Sequence, residues 1–445
     1  MPILSSHAAT DIRATDHCAI DFGTSNSAVA LPASAPGGKQ QLVEIEPNHL
    51  TMPTAVFYHA EGRGTDGPPR AFGRAALAAY VEGIDGRLMR SMKSILGSSF
   101  VNQTTDVGGG RGMRYLDIIA STLRHLKQRA EAQAGHAVKR VVMGRPVYFV
   151  DDDAARDAQA QASLEEAARA VGFEDVQFQY EPIAAALDHE QSLLKEERVL
   201  VVDIGGGTSD FSVVRVGPER ARRLDRKDDI LANHGVHIAG TDFDRRIELC
   251  SVLREFGYGA LGPSLKGQPA REVPAGVYFD LATWHLINTV YTPGRLAELR
   301  AMKPFYGNPL HHQRLMVVLE ERLGHELAAR AEQAKIDVSG GEAALIDLSH
   351  VERSLSVLLS EGDALQAIEA DMARIAREAV QAVTLAGLQP GQIDTLYFTG
   401  GSTGLRVLAE RIAAAFPDAR VVRGDRFASV AMGLGVHASR LFDAG

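Results

Sequence analysis

The stretch Asp203-Ile-Gly-Gly-Gly-Thr-Ser-Asp210 decides the fold of this chain, and it lies between the apolar runs 199–202 and 211–214. Short apolar runs on both sides of a glycine turn predict a strand, a tight turn and a second strand. Glycine costs roughly 0.5–1 kcal/mol relative to alanine in regular structure, so three in succession are expected where the backbone approaches a ligand closely. Because successive amides in such a turn form an anion-binding concavity, the stretch predicts a phosphate-binding turn.

A second acidic glycine turn, Asp21-Phe-Gly-Thr-Ser-Asn-Ser27, lies between the apolar runs 17–20 and 28–31. Its Asp21 carboxylate ends the first predicted strand and is a hard oxygen ligand of the kind that Mg²⁺ prefers. The residues expected to meet phosphate in this turn are Gly23, Thr24, Ser25 and Asn26. Taken alone, the turn is also compatible with an ordinary hairpin. Two such turns facing each other would hold a metal–nucleotide between two lobes.

A third glycine turn, Phe398-Thr-Gly-Gly-Ser402, lies between a predicted buried strand and a predicted helix. The amides of Gly400, Gly401 and Ser402 are expected to meet a phosphate or nucleoside, because the start of a helix favours negative charge. The alternative is an ordinary helix start, since serine and threonine are good N-caps.

Composition narrows the classes of partner. The chain has 445 residues, which suggests two to three domains or lobes, and a net charge of −9 with dispersed Lys and Arg. This charge distribution argues against a nucleic-acid groove and against an anionic membrane surface. Two cysteines without metal-ligand spacing indicate a reducing compartment. With no signal-peptide pattern and no apolar run long enough to span a bilayer, we expect a cytoplasmic monomer.

Two other nucleotide motifs are not supported. The P-loop pattern Gly-x-x-x-x-Gly-Lys-Ser/Thr is absent from the sequence. The stretch Gly433-Leu-Gly435 resembles a dinucleotide fingerprint in letters only, because no βαβ unit follows it. We interpret these glycines as contacts between helices.

Periodicity predicts an α/β protein in which two halves open with the same strand–turn–strand unit. Helices are expected near 71–82, 114–134, 153–171, 182–196, 350–360 and 364–386, with a final helix near 427–442. Residues 106–112 are expected to form a flexible connector. The predicted organisation is a flexible lead-in at 1–16, lobe I at 17–196, lobe II at 197–426 with a helical subdomain at about 245–340, and a C-terminal helix at 427–445 that returns to lobe I.

These segments resemble the actin/hexokinase/heat-shock ATPase superfamily. The resemblance is closest to DnaK-type heat-shock chaperones of the seventy-kilodalton class, and in detail to their short YegD-like branch. Besides the three turns, it is carried by Gly144-Arg-Pro-Val-Tyr-Phe149, Tyr180-Glu-Pro-Ile-Ala-Ala-Ala-Leu187 and His237-Ile-Ala-Gly-Thr-Asp-Phe-Asp244. The fold it implies is two-lobed and actin-like, with a mixed sheet flanked by helices in each lobe and a nucleotide cleft between the lobes.

The resemblance also implies roles for individual residues. Asp21 and Asp203 would hold hydrated Mg²⁺, and Lys93 would reach the γ-phosphate. Glu181 would position water and metal, the Thr208 hydroxyl would lie near the γ-phosphate, and Asp203 would also take part in catalysis. The implied phosphate contacts are Thr24, Ser25, Gly205, Gly206, Gly207 and Gly240. The implied ribose and adenine contacts are Glu332, Lys335 and Ser339, and Pro146 takes the position of the family's switch proline.

Two departures from the family pattern bear on function. Ile336 and Gly404 stand where the family has arginines that stack on adenine, so we expect weaker or less adenine-selective binding. No β-sandwich substrate domain is expected after Phe442, so a peptide clamp of the usual kind is not expected on this chain.

The leading hypothesis is a heat-shock-chaperone-like ATP-binding protein. It would use ATP, ADP and Mg²⁺, hydrolyse ATP slowly, and pass lobe closure to an unknown protein partner. Three alternatives stay open: a nucleotide-gated binding module with negligible turnover, a small-molecule kinase of the same superfamily, and an actin-like filament.

Overall fold

The computed structural model describes residues 16–33, 40–62, 67–150, 153–264, 269–425 and 428–443. The predicted lead-in 1–16 lies outside these ranges apart from its last residue. The chain divides into two compact units. The first comprises Met1–Val199, Val214–Leu231 and Phe427–Gly445, and the second comprises Leu200–Val213 and Ala232–Arg426. Among the described residues, we find no helix with the length and apolar character needed to cross a membrane.

The secondary structure of the described residues is mixed α/β. The strands are β1 (His17–Phe22), β2 (Asn26–Leu31), β3 (Gln41–Leu42), β4 (Thr51–Pro53), β5 (Ala55–His59), β6 (Arg70–Phe72), β7 (Gly86–Arg90), β8 (Thr104–Asp106), β9 (Gly112–Arg114), β10 (Arg140–Arg145), β11 (Asp175–Tyr180), β12 (Glu197–Ile204), β13 (Ser209–Val216), β14 (Ile230–Val236), β15 (Ala344–Asp347), β16 (Ser356–Leu359), β17 (Thr395–Thr399) and β18 (Arg420–Arg423). The helices are α1 (Gly73–Val81), α2 (Tyr115–Ala134), α3 (Ala154–Ala170), α4 (Glu181–Glu190), α5 (Gly240–Cys250), α6 (Gly276–Leu281), α7 (Pro293–Ala301), α8 (Pro309–Glu320), α9 (Gly324–Val338), α10 (Glu361–Leu385), α11 (Arg406–Ala414) and α12 (Ser429–Phe442).

The main sheet of the first unit has the order β11-β10-β1-β2-β3, and β4 also pairs with β2. Strand β1 runs parallel to β10 and antiparallel to β2. Alternate residues of β1 face opposite sides. Cys18, Ile20 and Phe22 belong to the large core that includes α2 and α3. Ala19 instead belongs to a small core that contains α4 and α12.

The alanine face of this sheet brings α4 and α12 into close contact. A side-chain Cβ at Gly433 of α12 would lie 1.8 Å from the Ala184 carbonyl oxygen of α4, so only glycine fits there. The interpretation of Gly433 as a helix contact is confirmed. The close approach fixes α4, whose first residue is Glu181.

A five-stranded sheet, most of whose residues belong to the second unit, has the order β14-β13-β12-β17-β18. Strand β17 runs parallel to β18. Helices α5, α9 and α10 pack against one another in this unit, and α11 packs against α10. A separate antiparallel hairpin joins β15 and β16.

The α/β class and the strand–turn–strand units at 17–31 and 197–216 are confirmed. Three local predictions are wrong. Residues 350–360 are not a helix, because β16 pairs there with β15. Residues 106–112 are not a flexible connector, because they form the tip of the β8–β9 hairpin, where Asp106 pairs with Gly112. Helix α4 ends at Glu190 rather than near 196, because the chain turns where the Ser192 and Leu193 amides bond back to His189 and Glu190.

Candidate functional site

The first acidic turn is held by its neighbouring strands within the first unit. Asp21 lies opposite Ala28 in the β1–β2 ladder. A Cβ at Gly23 would lie 2.2 Å from the Asn26 carbonyl oxygen, so the turn has no room for a larger residue there. The Thr54 amide donates to the Ser25 carbonyl oxygen at 2.8 Å. These contacts fix the backbone of the turn, while Thr24 and Asn26 stay exposed.

Lys93 and Glu181 form an ion pair in the first unit. Lys93 lies in the short 3₁₀ helix Met92–Ile95 and is only 8% exposed. Its Nζ donates to Glu181 Oε1. Glu181 begins α4 and is followed by Pro182, a residue suited to the first turn of a helix. The structure thus brings together two predicted catalytic residues that are far apart in sequence.

The segment after β10 is fastened around Arg145, the residue before the predicted switch proline Pro146. The Arg145 guanidinium donates to Asp157 Oδ2 at 2.8 Å and to the Val147 carbonyl oxygen at 3.2 Å. It also lies over the Tyr180 ring, with 5.1 Å between the guanidinium carbon and the ring centroid. Since Tyr180 directly precedes Glu181, this segment is tied to the start of α4.

The triple-glycine turn belongs to the second unit. The Gly205 amide donates to the Thr208 carbonyl oxygen at 3.0 Å, which closes the turn. The Thr208 hydroxyl donates to Asp210 Oδ2 at 2.8 Å. A Cβ at Gly207 would meet no atom within 4 Å, and one at Gly205 would make only an ordinary 3.7 Å contact. The neighbours of the turn therefore do not require glycine at these two positions.

Two other glycine-containing segments converge on this turn. The Thr241 amide donates to the Gly206 carbonyl oxygen at 2.8 Å, and the Ser402 hydroxyl donates to the Gly205 carbonyl oxygen at 2.7 Å. A Cβ at Gly240 would lie 2.4 Å from Ser402 Oγ, so a larger residue there would displace the hydroxyl that bonds to Gly205. The sequence could not show that the turns at 205–208, 240 and 400–402 meet.

Gly400 completes this convergence. Its φ of +85° favours glycine. A Cβ there would also lie 2.4 Å from Asp203 Oδ1 and 2.5 Å from the Ile204 carbonyl oxygen. Gly401 begins the 3₁₀ turn Gly401–Gly404 that follows. The Asp203 carboxylate thus lies against the third glycine turn within the same unit.

The predicted nucleoside residues lie on α9 or directly after it. Lys335 Nζ lies 2.6 Å from Asp244 Oδ1, and the Ser339 hydroxyl donates to the Ile336 carbonyl oxygen at 2.6 Å. Lys335 and Ser339 line a small depression between α5, α9, α10 and α11. Glu332 is not part of its lining, although its charge acts on Asp244. Ile336 is 52% exposed.

Arg406 and Glu361 line the same depression, although they were not predicted from the sequence. Their side chains form an ion pair at 3.5 Å, and Arg406 also pairs with Glu410 at 3.0 Å. Arg406 lies two residues after Gly404, the position at which the family has an arginine. An arginine two positions away from the family's arginine is visible in the sequence and could have indicated Arg406.

Two carboxyl groups with raised pKa values lie in α5, and the first of them, Asp244, pairs with Lys335. Burial raises the pKa of Asp244 to about 6, although the Lys335 ammonium opposes the shift. One helical turn later, Glu248 is buried in α5, and burial together with the Asp244 charge raises its pKa well above the ordinary range. Burial therefore favours the protonated form of Glu248.

Glu248→Gln is expected to remove a pH dependence from stability. The folded protein holds the Glu248 proton more tightly than the unfolded chain does. The parent's free energy of unfolding should therefore fall as pH rises above 4.5, the ordinary glutamate value, towards the raised one. Glutamine has a similar shape and cannot ionise, so the variant should gain relative to the parent from pH 5 to pH 8. Urea denaturation at both pH values measures this, with the exposed Glu298→Gln as control. The prediction would be contradicted if the variant and the parent differed in free energy of unfolding by the same amount at pH 5 and at pH 8.

Comparison with known proteins places these turns in context. The family model described as Hsp70 protein matches residues 18–256. The chain is 32% identical over 230 residues to the chaperone protein DnaK of Thermosipho melanesiensis, which covers 51% of this chain and 34% of that protein. DnaK of Thermosipho africanus is 33% identical over the same shares, and DnaK of Thermotoga neapolitana is 31% identical over the same shares. The aligned region thus spans about a third of the length of these relatives.

Proposed function

Because this chain belongs to the Hsp70 family, we propose that it binds ATP and ADP with Mg²⁺ and hydrolyses ATP slowly. The observation that carries the proposal is the convergence of three glycine segments beside Asp203. Glycines at 205 and 207 are not required by their neighbours, so a ligand that approaches the backbone explains them best. Relatives named as chaperone protein DnaK support a chaperone-like role.

The residues present fit a magnesium nucleotide. Asp21 and Asp203 offer carboxylate oxygens, which suit a hydrated Mg²⁺. When bound, the ion would neutralise charge on the phosphates. The amides of the 205–208 turn and the hydroxyls of Thr24 and Ser25 would bind the phosphate oxygens.

Hydrolysis would use water as the nucleophile. In this proposal Glu181 and Thr208 orient the water, and the Lys93 ammonium stabilises negative charge that develops during phosphoryl transfer. Positioning and electrostatics account for most catalysis of this kind, so fixed side chains matter more than a strong base. The Lys93–Glu181 pair supplies such a fixed arrangement.

The base would lie in the depression beside Lys335 and Ser339, and Glu332 would contact the ribose. Ile336 can cover a base face with apolar contact, but it lacks the cation–π interaction of an arginine. We further propose that lobes at 17–196 and 197–426 respond to nucleotide state, and that a protein partner senses the change.

A nucleotide-gated binding module with negligible turnover is the second candidate. Ile336 and Gly404 favour it, because loss of both stacking arginines weakens the hold on the base. The two candidates differ in one measurable step, which is cleavage of bound ATP.

Calorimetric titration followed by a single-turnover assay tests the proposal. We expect ATP binding that weakens at least tenfold when EDTA removes the metal, since the ion links protein and phosphates. We also expect less than about tenfold preference for ATP over GTP, because the arginine contacts that hold the adenine ring in place, worth about 1–2 kcal/mol, are missing. Absence of metal-dependent nucleotide binding would refute the function. Binding without cleavage above the buffer rate would select the second candidate, and strong rejection of GTP would contradict the expected loss of selectivity.

A further inference from the structure

A buried cluster of charges lies at the far end of α4 from Glu181. Arg226 is 2% exposed and Glu190 is 1% exposed. The Arg226 guanidinium donates to Glu190 through two nitrogens, at 2.8 and 3.0 Å, and its Nε donates to Asp229. The Gly217 amide donates to Glu190 Oε1 at 3.0 Å. Glu190 is therefore held by a bidentate guanidinium and by a backbone amide.

The cluster is balanced in charge. Arg220 donates to Asp229 at 2.7 Å and to Glu196 at 2.9 Å. Arg440 of α12 lies 4.0 Å from Glu190 Oε2. Three arginines thus face three carboxylates. Because two buried charges seldom stabilise a fold more than apolar residues would, this arrangement calls for a role beyond stability.

The cluster joins α4 to the 217–229 loop. Glu190 ends α4, and Glu181 begins it nine residues earlier, which corresponds to about 14 Å along the helix axis. The loop carries Arg226 and connects β13 to β14. Strand β13 starts at Ser209, directly after the triple-glycine turn, and β14 ends at Val236, shortly before Gly240. The loop thus links the end of β13 to the start of β14. The start of β13 and the end of β14 adjoin the proposed phosphate contacts.

We propose that Arg226 and Glu190 form a positioning pair that sets the place of α4, and through it the place of Glu181. This inference rests on the proposed hydrolysis of ATP. A rigid α4 transmits the position of its buried end to its first turn, and Gly433 of α12 contacts the helix at Ala184, one turn after Glu181. Neither residue of the pair belongs to the proposed nucleotide contacts. Their effect should appear in the cleavage step rather than in ATP affinity.

Arg226→Met tests the proposal against Arg314→Met, which also removes an arginine from two carboxylates, Glu255 and Glu352, but in the second unit. We expect Arg226→Met to slow single-turnover cleavage about tenfold or more, because small misplacement of a positioning group is costly. ATP affinity should stay within about threefold, since binding contacts are intact. Arg314→Met should leave cleavage within about twofold.

Two milder variants guard against loss of folding. Arg226→Lys keeps the charge but cannot bind Glu190 bidentately, and Glu190→Gln keeps the shape. Both should slow cleavage and raise amide hydrogen exchange at Ala185, Ala186 and Leu187, whose amides bond to the carbonyls of the first turn of α4. This exchange measurement does not need catalysis, so it tests the positioning role even if the parent binds ATP without cleaving it. Unchanged exchange at these three amides in both folded variants would overturn the proposal, as would equal losses of cleavage and affinity.

Discussion

Lys93→Met should slow ATP cleavage by a factor of about 100 to 1,000, the loss that follows removal of one preorganised group that stabilises transition-state charge. The ammonium of Lys93 is 8% exposed and is held by Glu181, so its position is fixed before the reaction begins. Methionine matches the length of the side chain but carries no charge. ATP affinity should fall less than about tenfold, because the glycine turns still bind the phosphates.

Lys127→Met is the matched control for this variant. Lys127 donates to Glu131 in α2 of the same unit, and it is similarly shielded from solvent. Its removal should leave cleavage within about twofold of the parent, since it has no part in the site. Single-turnover rates and calorimetric affinities for both variants provide the comparison. Cleavage by Lys93→Met within threefold of the parent rate would rule out the assigned role.

Gly433→Ala should destabilise the first unit by about 3 kcal/mol or more, at the upper end of what overpacking costs. The new Cβ would lie 1.8 Å from the Ala184 carbonyl oxygen and 2.5 Å from its carbon, so α12 or α4 must move. Backbone atoms cannot turn aside as a flexible side chain can. Because Ala184 lies one turn after Glu181, the shift should also disturb the Lys93–Glu181 pair.

Urea denaturation of Gly433→Ala measures this loss, and Gly294→Ala is the control. Gly294 lies in α7, and a Cβ there meets no atom within 4 Å. That control should be neutral or gain about 0.4–1 kcal/mol, because alanine narrows the unfolded ensemble. A midpoint for Gly433→Ala equal to that of the parent would show that the two helices separate easily.

The acidic hairpins were predictable from sequence because their signals are local. Apolar runs and turn glycines lie within eight residues of one another, and β1, β2, β12 and β13 formed as expected. Residues 350–360 were mispredicted because their helical spacing was weaker than the cross-strand pairing of β15 with β16. That pairing depends on contacts that no single window contains.

The candidate site was predictable only in pieces. Resemblance to a family singled out Lys93 and Glu181, whereas their mutual contact required the fold. The 217–229 loop has the composition of a solvated surface, yet Arg226 and Asp229 are buried in it. Sequence spacing gives no sign that Glu190, which lies in α4, forms the ion pair with Arg226. Such partners emerge only from tertiary structure.

The unequal faces of β1 also constrain how this chain can evolve. At Ala19 and Ala30, which lie in the small core with α4 and α12, drift should be confined to residues about the size of alanine. At Cys18 and Ile20, on the opposite side, larger apolar residues can exchange if their neighbours compensate in volume. Adjacent positions of β1 should therefore accept substitutions of different maximum size. The smaller maximum applies on the face that packs against α4, the helix that begins at Glu181.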